Sequence, residues 1–175
     1  MFEDCNNLES IPWNNFNIDT SQCTSMRYMF NGCGVTNLNL YMNTSKVTDM
    51  YSMFRDCSSL TKLDFMSNLD TSSVTDTGYM FYGCESLTNL NLTNIDTSKV
   101  TSMAYMFYGC ESLQKITCPD GFDMSSCTDV DRMFLNMNKQ YDGEPIHFKN
   151  VLPILNFNNI FGTKGVHYVI DSYKS

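Results

Sequence analysis

The residue pair Met-Phe recurs through the 175-residue chain at intervals of 24 to 28 residues. Neighbouring residues recur with it: a cysteine follows the first five of these methionines by four residues, and a triplet of the Asp-Thr-Ser type precedes each later pair. The six pairs begin at Met1, Met29, Met53, Met80, Met106 and Met133. Self-similarity at a period of this length is the signature of repeat architectures, in which each unit buries its apolar side against its neighbours.

The unit at 80–105 shows what each coil should contain. Residues 87–92 alternate between apolar and polar side chains in their second half, which predicts a strand, and 99–103 predict a second strand. Turn-forming residues at 93–98 separate the two, and apolar residues three or four apart at 104–110 fit one or two helical turns. We therefore predict an α/β, β-rich solenoid with short parallel β-ladders and short helical turns.

The repeats divide the chain into a regular and an irregular part of one domain. Residues 1–132 hold five regular repeats, and 133–175 are predicted to form a degenerate sixth repeat and a C-terminal capping coil. The pair Ile160-Phe161 lies 27 residues after Met133, where the next Met-Phe pair is expected. Terminal repeats of solenoids are usually atypical because they cover the exposed core.

The most regular stretch, 80–103, carries a family resemblance. Its run Met-Phe-Tyr-Gly-Cys-Glu-Ser-Leu-Thr-Asn-Leu-Asn-Leu, followed by Asp-Thr-Ser-Lys-Val-Thr-Ser-Met, resembles the BspA-like leucine-rich repeats of bacterial surface proteins. The resemblance is close over 1–132. It implies leucine-rich-repeat-like coils and a secreted or surface-attached protein that binds other macromolecules without catalysis.

Composition narrows the range of partners. The formal charge of −8 and the isoelectric point of about 4.5 exclude a general nucleic-acid or anionic-membrane binder, since both need a cationic surface. No apolar run approaches the ~20 residues of a membrane helix, so no membrane insertion is expected. The single alanine, Ala104, argues against a helical bundle.

Sulfur-containing residues are abundant, with 8 cysteines and 13 methionines. Five cysteines and most methionines occupy fixed positions of the repeat, so we predict that they fill the core, the cysteines as buried free thiols. Disulfides and a metal site are the alternatives, although no Cys-x-x-Cys pair exists to hold a metal.

Acidic residues and histidines are the remaining candidates for a metal or catalytic site. One carboxylate per coil is too few for the six or more oxygen ligands of calcium, so turn capping is the favoured interpretation of the acidic column. This column consists of Asp19, Asn43, Asp70, Asp96 and Asp123. The histidines, His147 and His167, show neither catalytic nor metal-ligand spacing. We therefore predict no catalytic residue, no cofactor and no metal site.

The strand pattern predicts a polar surface. If Leu90 and Leu92 point inward, Asn89 and Asn91 point outward, and the same outward positions vary from repeat to repeat. Solenoids commonly bind partners through such a row, although an ordinary solvated sheet surface is the alternative. The candidate binding face comprises Asn37, Asn39, Lys62, Asp64, Asn89, Asn91, Lys115, Thr117 and Tyr168. A second row, Tyr28, Tyr79 and Tyr105, is interpreted as partly buried packing or as an interface.

These patterns predict a non-enzymatic scaffold for recognition or adhesion, located outside the cell or at its surface, with a protein or a glycan as partner. The alternative is a structural component of a virion, tail fibre or other assembly that docks through its end coils. In that case other chains would cover the first coil, because Met1 falls inside a repeat. A redox- or metal-responsive protein that uses its thiols is a third and weaker interpretation.

Overall fold

The computed structural model describes residues 19–39, 41–64, 66–118, 120–137, 141, 143–155, 160–161 and 168–174. Within these residues the regular elements are strands of two to four residues and a 3₁₀ helix at Met66–Asn68. The strands are β1 Asn37–Leu38, β2 Lys62–Leu63, β3 Asn89–Asn91, β4 Lys115–Thr117, β5 Phe122–Asp123, β6 Ile146–Lys149 and β7 Tyr168–Ile170.

The strands pair in parallel from coil to coil, as predicted. β1 pairs with β2, β3 pairs with β4, and β5, β6 and β7 form a three-stranded sheet in that order. The register sets equivalent repeat positions side by side, for example Asn37 beside Lys62 and Asn89 beside Lys115. The protein is therefore β-rich, and its coils stack so that like positions form columns.

The second predicted ladder, at 99–103, is reduced to single bridges in the described part of the chain. A side-chain oxygen at the bridging position accepts a hydrogen bond from the backbone two residues later, as Asp76 Oδ1 does from Gly78 N–H at 2.9 Å. This bond turns the chain away after one bridge, so no strand forms. The bridges join Ser25, Asp49, Asp76, Ser102 and Asp129 in that order.

The predicted helical turns at 104–110 are wrong: the described residues contain no α-helix. The N–H of Phe107 donates to Met133 O of the next coil at 2.8 Å, whereas the N–H of Tyr108 turns back to Tyr105 O at 3.1 Å. Every second donor thus joins two coils, and the others close tight turns. Consecutive turns place apolar residues three apart, which is why the spacing resembles that of a helix.

Each of these turn segments contains a residue in the left-handed region, with φ between 51° and 57°. These residues are Tyr28, Ser52, Tyr79, Tyr105 and Arg132. The conformation costs a residue with a Cβ roughly 1–2 kcal/mol. The surrounding coils impose it, because the same segment bonds to a neighbour through alternate N–H groups.

The core is a set of stacked side-chain columns. Phe81 lies between Phe54 and Phe107, with ring centroids 5.7 and 5.6 Å away and planes within 11° of parallel. The neighbouring Met and Cys positions, such as Met80 and Cys84, are at most 1% exposed. The prediction that methionine and cysteine fill the core is confirmed for the described repeats. The phenylalanine column continues into the irregular part, where Phe161 stacks on Phe134 at 5.1 Å.

Buried threonines of the Asp-Thr-Ser triplets also join successive coils through hydrogen bonds. The hydroxyl of Thr71 accepts the N–H of Asp96 at 2.8 Å and donates to the carbonyl of the same residue at 3.1 Å. Thr97 makes the same pair of bonds with Asp123. The triplet therefore combines a buried link between coils with an exposed turn.

Candidate binding face

The outward positions of β1 to β4 form the polar surface predicted from the strand pattern. Leu63 and Leu90 point into the core and are at most 4% exposed, whereas Lys62, Asn89 and Asn91 are exposed. Because the register is parallel, these outward side chains line up along the solenoid axis.

The structure brings eight of the nine predicted face residues onto one side of the coils. Asn39 and Asp64 lie just beyond β1 and β2 and are exposed, and Thr117 at the end of β4 is half-buried. Tyr168 lies apart from them: it belongs to β7, where its register partner is Ile146 of β6. β7 extends the C-terminal sheet and pairs with no strand of the polar row.

A groove of about 300 Å³ crosses this surface at the junction of β2 and β3. The groove lies where the ladder is interrupted, because β2 and β3 belong to separate two-stranded sheets. The same two coils remain bonded elsewhere, for example from Phe54 N–H to Met80 O at 2.9 Å. The coils therefore separate only on the strand side. The groove is lined by Thr61, Lys62, Leu63, Asp64, Thr88, Asn89, Leu90, Asn91 and Thr117.

The charges in the groove are paired with each other. Lys62 Nζ lies 2.7 Å from Asp64 Oδ1. Asn89 Nδ2 donates to Thr88 Oγ1 at 3.2 Å, and Asn91 Oδ1 accepts the N–H of Thr93 at 3.0 Å. The lining is thus an array of hydroxyl and amide groups around one exposed ion pair, and it offers both hydrogen-bond donors and acceptors.

A family profile described as "Mycoplasma protein of unknown function, DUF285" matches residues 1–117 and, a second time, residues 61–165. The chain belongs to this family. Two overlapping matches are expected when the profile spans several repeats, because it fits a repetitive chain in more than one register. No curated protein and no solved structure matches the chain. The BspA-like resemblance is not part of the family description and stays a prediction.

In this DUF285 protein the acidic column caps turns, as predicted. Asp70 Oδ1 accepts the N–H of Ser72 at 3.0 Å, and the Ser72 hydroxyl and N–H together lower the pKa of the Asp70 carboxyl. The equivalent Oδ1 bonds run from Ser21, Ser45, Ser98 and Ser125 to Asp19, Asn43, Asp96 and Asp123.

A second capping column was not predicted from the sequence. It consists of the bridging residues Ser25, Asp49, Asp76, Ser102 and Asp129. Within it, burial and the nearby Asp49 and Asp129 raise the pKa of the Asp76 carboxyl. The available signal was the Asp or Ser that follows each Val-Thr or Cys-Thr pair.

The described cysteines are free thiols, and five of the seven are buried. Cys84 Sγ donates to Phe54 O at 3.1 Å, and Cys110 makes the same bond to Phe81 O. Burial raises the pKa of the Cys110 thiol to about 12, so the thiolate needed for redox or metal chemistry is disfavoured. Cys23 and Cys118 are half-buried. No cluster of three or more His, Cys, Asp or Glu side chains suited to a metal ion occurs in the described residues.

The tyrosine row extends further than its sequence pattern indicated. Ser52 interrupts the row, and the ring of the neighbouring Tyr51 takes its place beside Tyr79. Gly78 has no side chain and so leaves room for this ring. The chain's three arginines all lie on these rings: Arg27 stands 3.8 Å from the Tyr51 ring centroid. The six tyrosines of this surface are Tyr28, Tyr51, Tyr79, Tyr82, Tyr105 and Tyr108.

Contacts within the chain already occupy the faces of these rings. Tyr79 stacks on Tyr105 at 4.7 Å, Arg55 stands 5.3 Å over the Tyr79 ring, and Arg132 donates to the Tyr105 hydroxyl at 3.0 Å. The tyrosine surface is therefore explained by packing between coils.

The described ranges contain no helix that is long and apolar enough to span a bilayer.

Proposed function

We propose that this DUF285 protein is a non-enzymatic recognition scaffold that binds a protein or a glycan through the polar face of β1 to β4. The observation that carries the proposal is the groove between β2 and β3. Five predicted face residues line it: Lys62, Asp64, Asn89, Asn91 and Thr117. The BspA-like resemblance adds leucine-rich-repeat-like coils and a location outside the cell or at its surface to this proposal.

The rigidity of the scaffold supports recognition. The face stands on stacked columns of Phe, Met and Cys, and backbone hydrogen bonds link successive coils on the opposite side of the core. A surface held in this way loses little conformational entropy when a partner binds, which favours affinity.

The experiment measures binding of the purified chain to immobilised extracellular-matrix proteins and to a glycan array. A variant with Lys62→Glu, Asp64→Lys and Lys115→Glu should lose binding, with an unchanged melting temperature because all three side chains are exposed. Lys46→Glu, Lys99→Glu and Asp120→Lys provide the matched control, since these exposed residues lie outside the groove lining. Binding that persists in the face variant, or no binding to any probe, overturns the proposal.

An assembly role is the second candidate function, and one observation favours it. Among the described residues, β7 is the edge strand of the C-terminal sheet, with Val169 40% and Tyr173 66% exposed nearby. Edge strands with exposed apolar side chains readily pair with other chains. A virion or fibre component would dock there, whereas the first coil, at 1–18, lies outside the described residues. Self-association that Val169→Lys abolishes, seen by light scattering, would favour this candidate.

A further inference from the structure

We propose that the groove between β2 and β3 binds a short neutral saccharide segment, an inference that rests on the proposed function and names the ligand class of the same site. The groove lining combines hydroxyl, amide, ammonium and carboxylate groups from Thr61, Lys62, Asp64, Asn89 and Thr117. Sugar hydroxyls both donate and accept hydrogen bonds, so they complement a lining that offers both.

The groove lining carries no net charge. The exposed ammonium of Lys62 and the carboxylate of Asp64 lie 2.7 Å apart and neutralise each other. An anionic ligand at Lys62 would compete with Asp64, and a cationic ligand at Asp64 would compete with Lys62. A neutral hydroxyl pair can bridge both groups and leave the ion pair intact. Charge complementarity therefore favours a neutral ligand.

The dimensions of the groove suit a small ligand. Its volume of about 300 Å³ is at the lower end of small-ligand sites, which begin near ~300 Å³.

The position of the hydrogen-bonding groups agrees with a ligand of this size. Asn89 is exposed, and its bond to Thr88 leaves the amide oxygen and one N–H available. Asn91 uses its Oδ1 to cap the turn at Thr93, so its amide N–H groups remain for a ligand. Asn37 holds the same repeat position as Asn89 but lies outside the groove lining.

The test compares Asn89 with an amide residue outside the candidate binding face. Binding of the full chain is measured by calorimetry against neutral hexose and N-acetylhexosamine di- to tetrasaccharides, with sialylated and uronic-acid oligosaccharides as anionic probes. Matrix glycoproteins are tested before and after enzymatic deglycosylation. We expect neutral oligosaccharides to bind. Asn89→Ala should weaken that binding by about tenfold, the effect of losing about 1.4 kcal/mol of hydrogen bonding, while Gln22→Ala, at an exposed residue outside the face, leaves it unchanged.

The two proposals fail in different ways. If glycoprotein binding survives deglycosylation and falls as much in Asn37→Ala as in Asn89→Ala, the saccharide inference is wrong and the proposed function stands. The saccharide inference is equally wrong if only anionic oligosaccharides bind. If binding is indifferent to every residue of the face, both proposals are wrong. An unchanged melting temperature of each variant shows that the loss belongs to the ligand contact.

Discussion

At the scale of single residues, threonine occupies two equivalent positions in each of the first four repeats, and only one of the two is buried. Thr71 is 4% exposed and bonds both the N–H and the carbonyl of Asp96. Thr75, four residues later, is exposed, and its own N–H already reaches Thr48 O at 2.8 Å. Loss of the threonine hydroxyl should therefore change the free energy of unfolding by different amounts at the two positions.

This contrast gives a matched pair of variants. Thr71→Val leaves the N–H of Asp96 without its partner and should lower the free energy of unfolding by about 1–3 kcal/mol. Thr75→Val removes an exposed hydroxyl that donates to Thr48 O at 3.0 Å, and this carbonyl keeps the N–H of Thr75 as a donor, so a change within about 0.5 kcal/mol is expected. Urea denaturation followed by circular dichroism measures both. Equal losses in the two variants would show that burial of the Thr71 hydroxyl adds nothing to the strength of its link between coils.

At the scale of elements, the strands were predictable because their side chains alternate within one repeat, as Asn89, Leu90 and Asn91 do. The turn segment was not, because the destination of an N–H group depends on the neighbouring coil. Phe107 and Tyr108 are adjacent, yet only the first donates to the next coil. A helix and a series of turns bury the same spacing of apolar residues, so periodicity alone cannot separate them.

The candidate site likewise has one part that could be predicted from the sequence and one part that could not. The row of outward residues follows from alternation, and the structure places all of it on one side except Tyr168. The groove does not follow, because the sequences around Lys62 and Asn89 match the same repeat pattern, and nothing in them indicates that β2 and β3 pair with different partners. The interruption of the ladder is a relation between coils, which a single repeat does not encode.

The thiol column makes a prediction about pH. Burial raises the pKa of the Cys57 and Cys110 thiols from 9.0 to about 12, so the folded state keeps the neutral form when the unfolded state begins to ionise. The stabilisation is complete below pH 9 and is lost as the pH rises from 9 through 12. Near pH 10 each such thiol should lower the unfolding free energy by up to about 1.4 kcal/mol per pH unit.

Urea titrations between pH 7 and 10 measure this loss. The Tyr51 and Tyr79 hydroxyls also have a pKa above their ordinary value of 10.0, so their effect begins at higher pH than that of the thiols. A Cys57→Ala, Cys110→Ala double variant should be less stable at pH 7 but should show a shallower decline above pH 9. A stability that stays flat up to pH 10 in the natural chain contradicts the buried-thiol assignment.

At the scale of the whole molecule, each coil bonds mainly to its two neighbours, so stability should be close to a sum over coils. Deletion of 80–105 joins Tyr79 to Met106 and removes one repeat of 26 residues without changing the register. We expect this variant to fold, with an unchanged far-ultraviolet spectrum and a lower melting temperature. Deletion of 80–92, half a repeat, shifts every later column and should unfold the chain. Similar spectra for the two deletions would contradict the solenoid register.

The alternating bonds of the turn segments also give the stack of coils a direction. The N–H of Phe30 donates to Met53 O in the following coil, and every coil-joining donor of these segments points the same way. Backbone bonds elsewhere in the coils run the opposite way, such as those from Thr48 N–H to Thr24 O and from Thr61 N–H to Thr36 O. A coil therefore presents donors at one part of its edge and acceptors at another, and a further coil fits only when it is added in the same orientation.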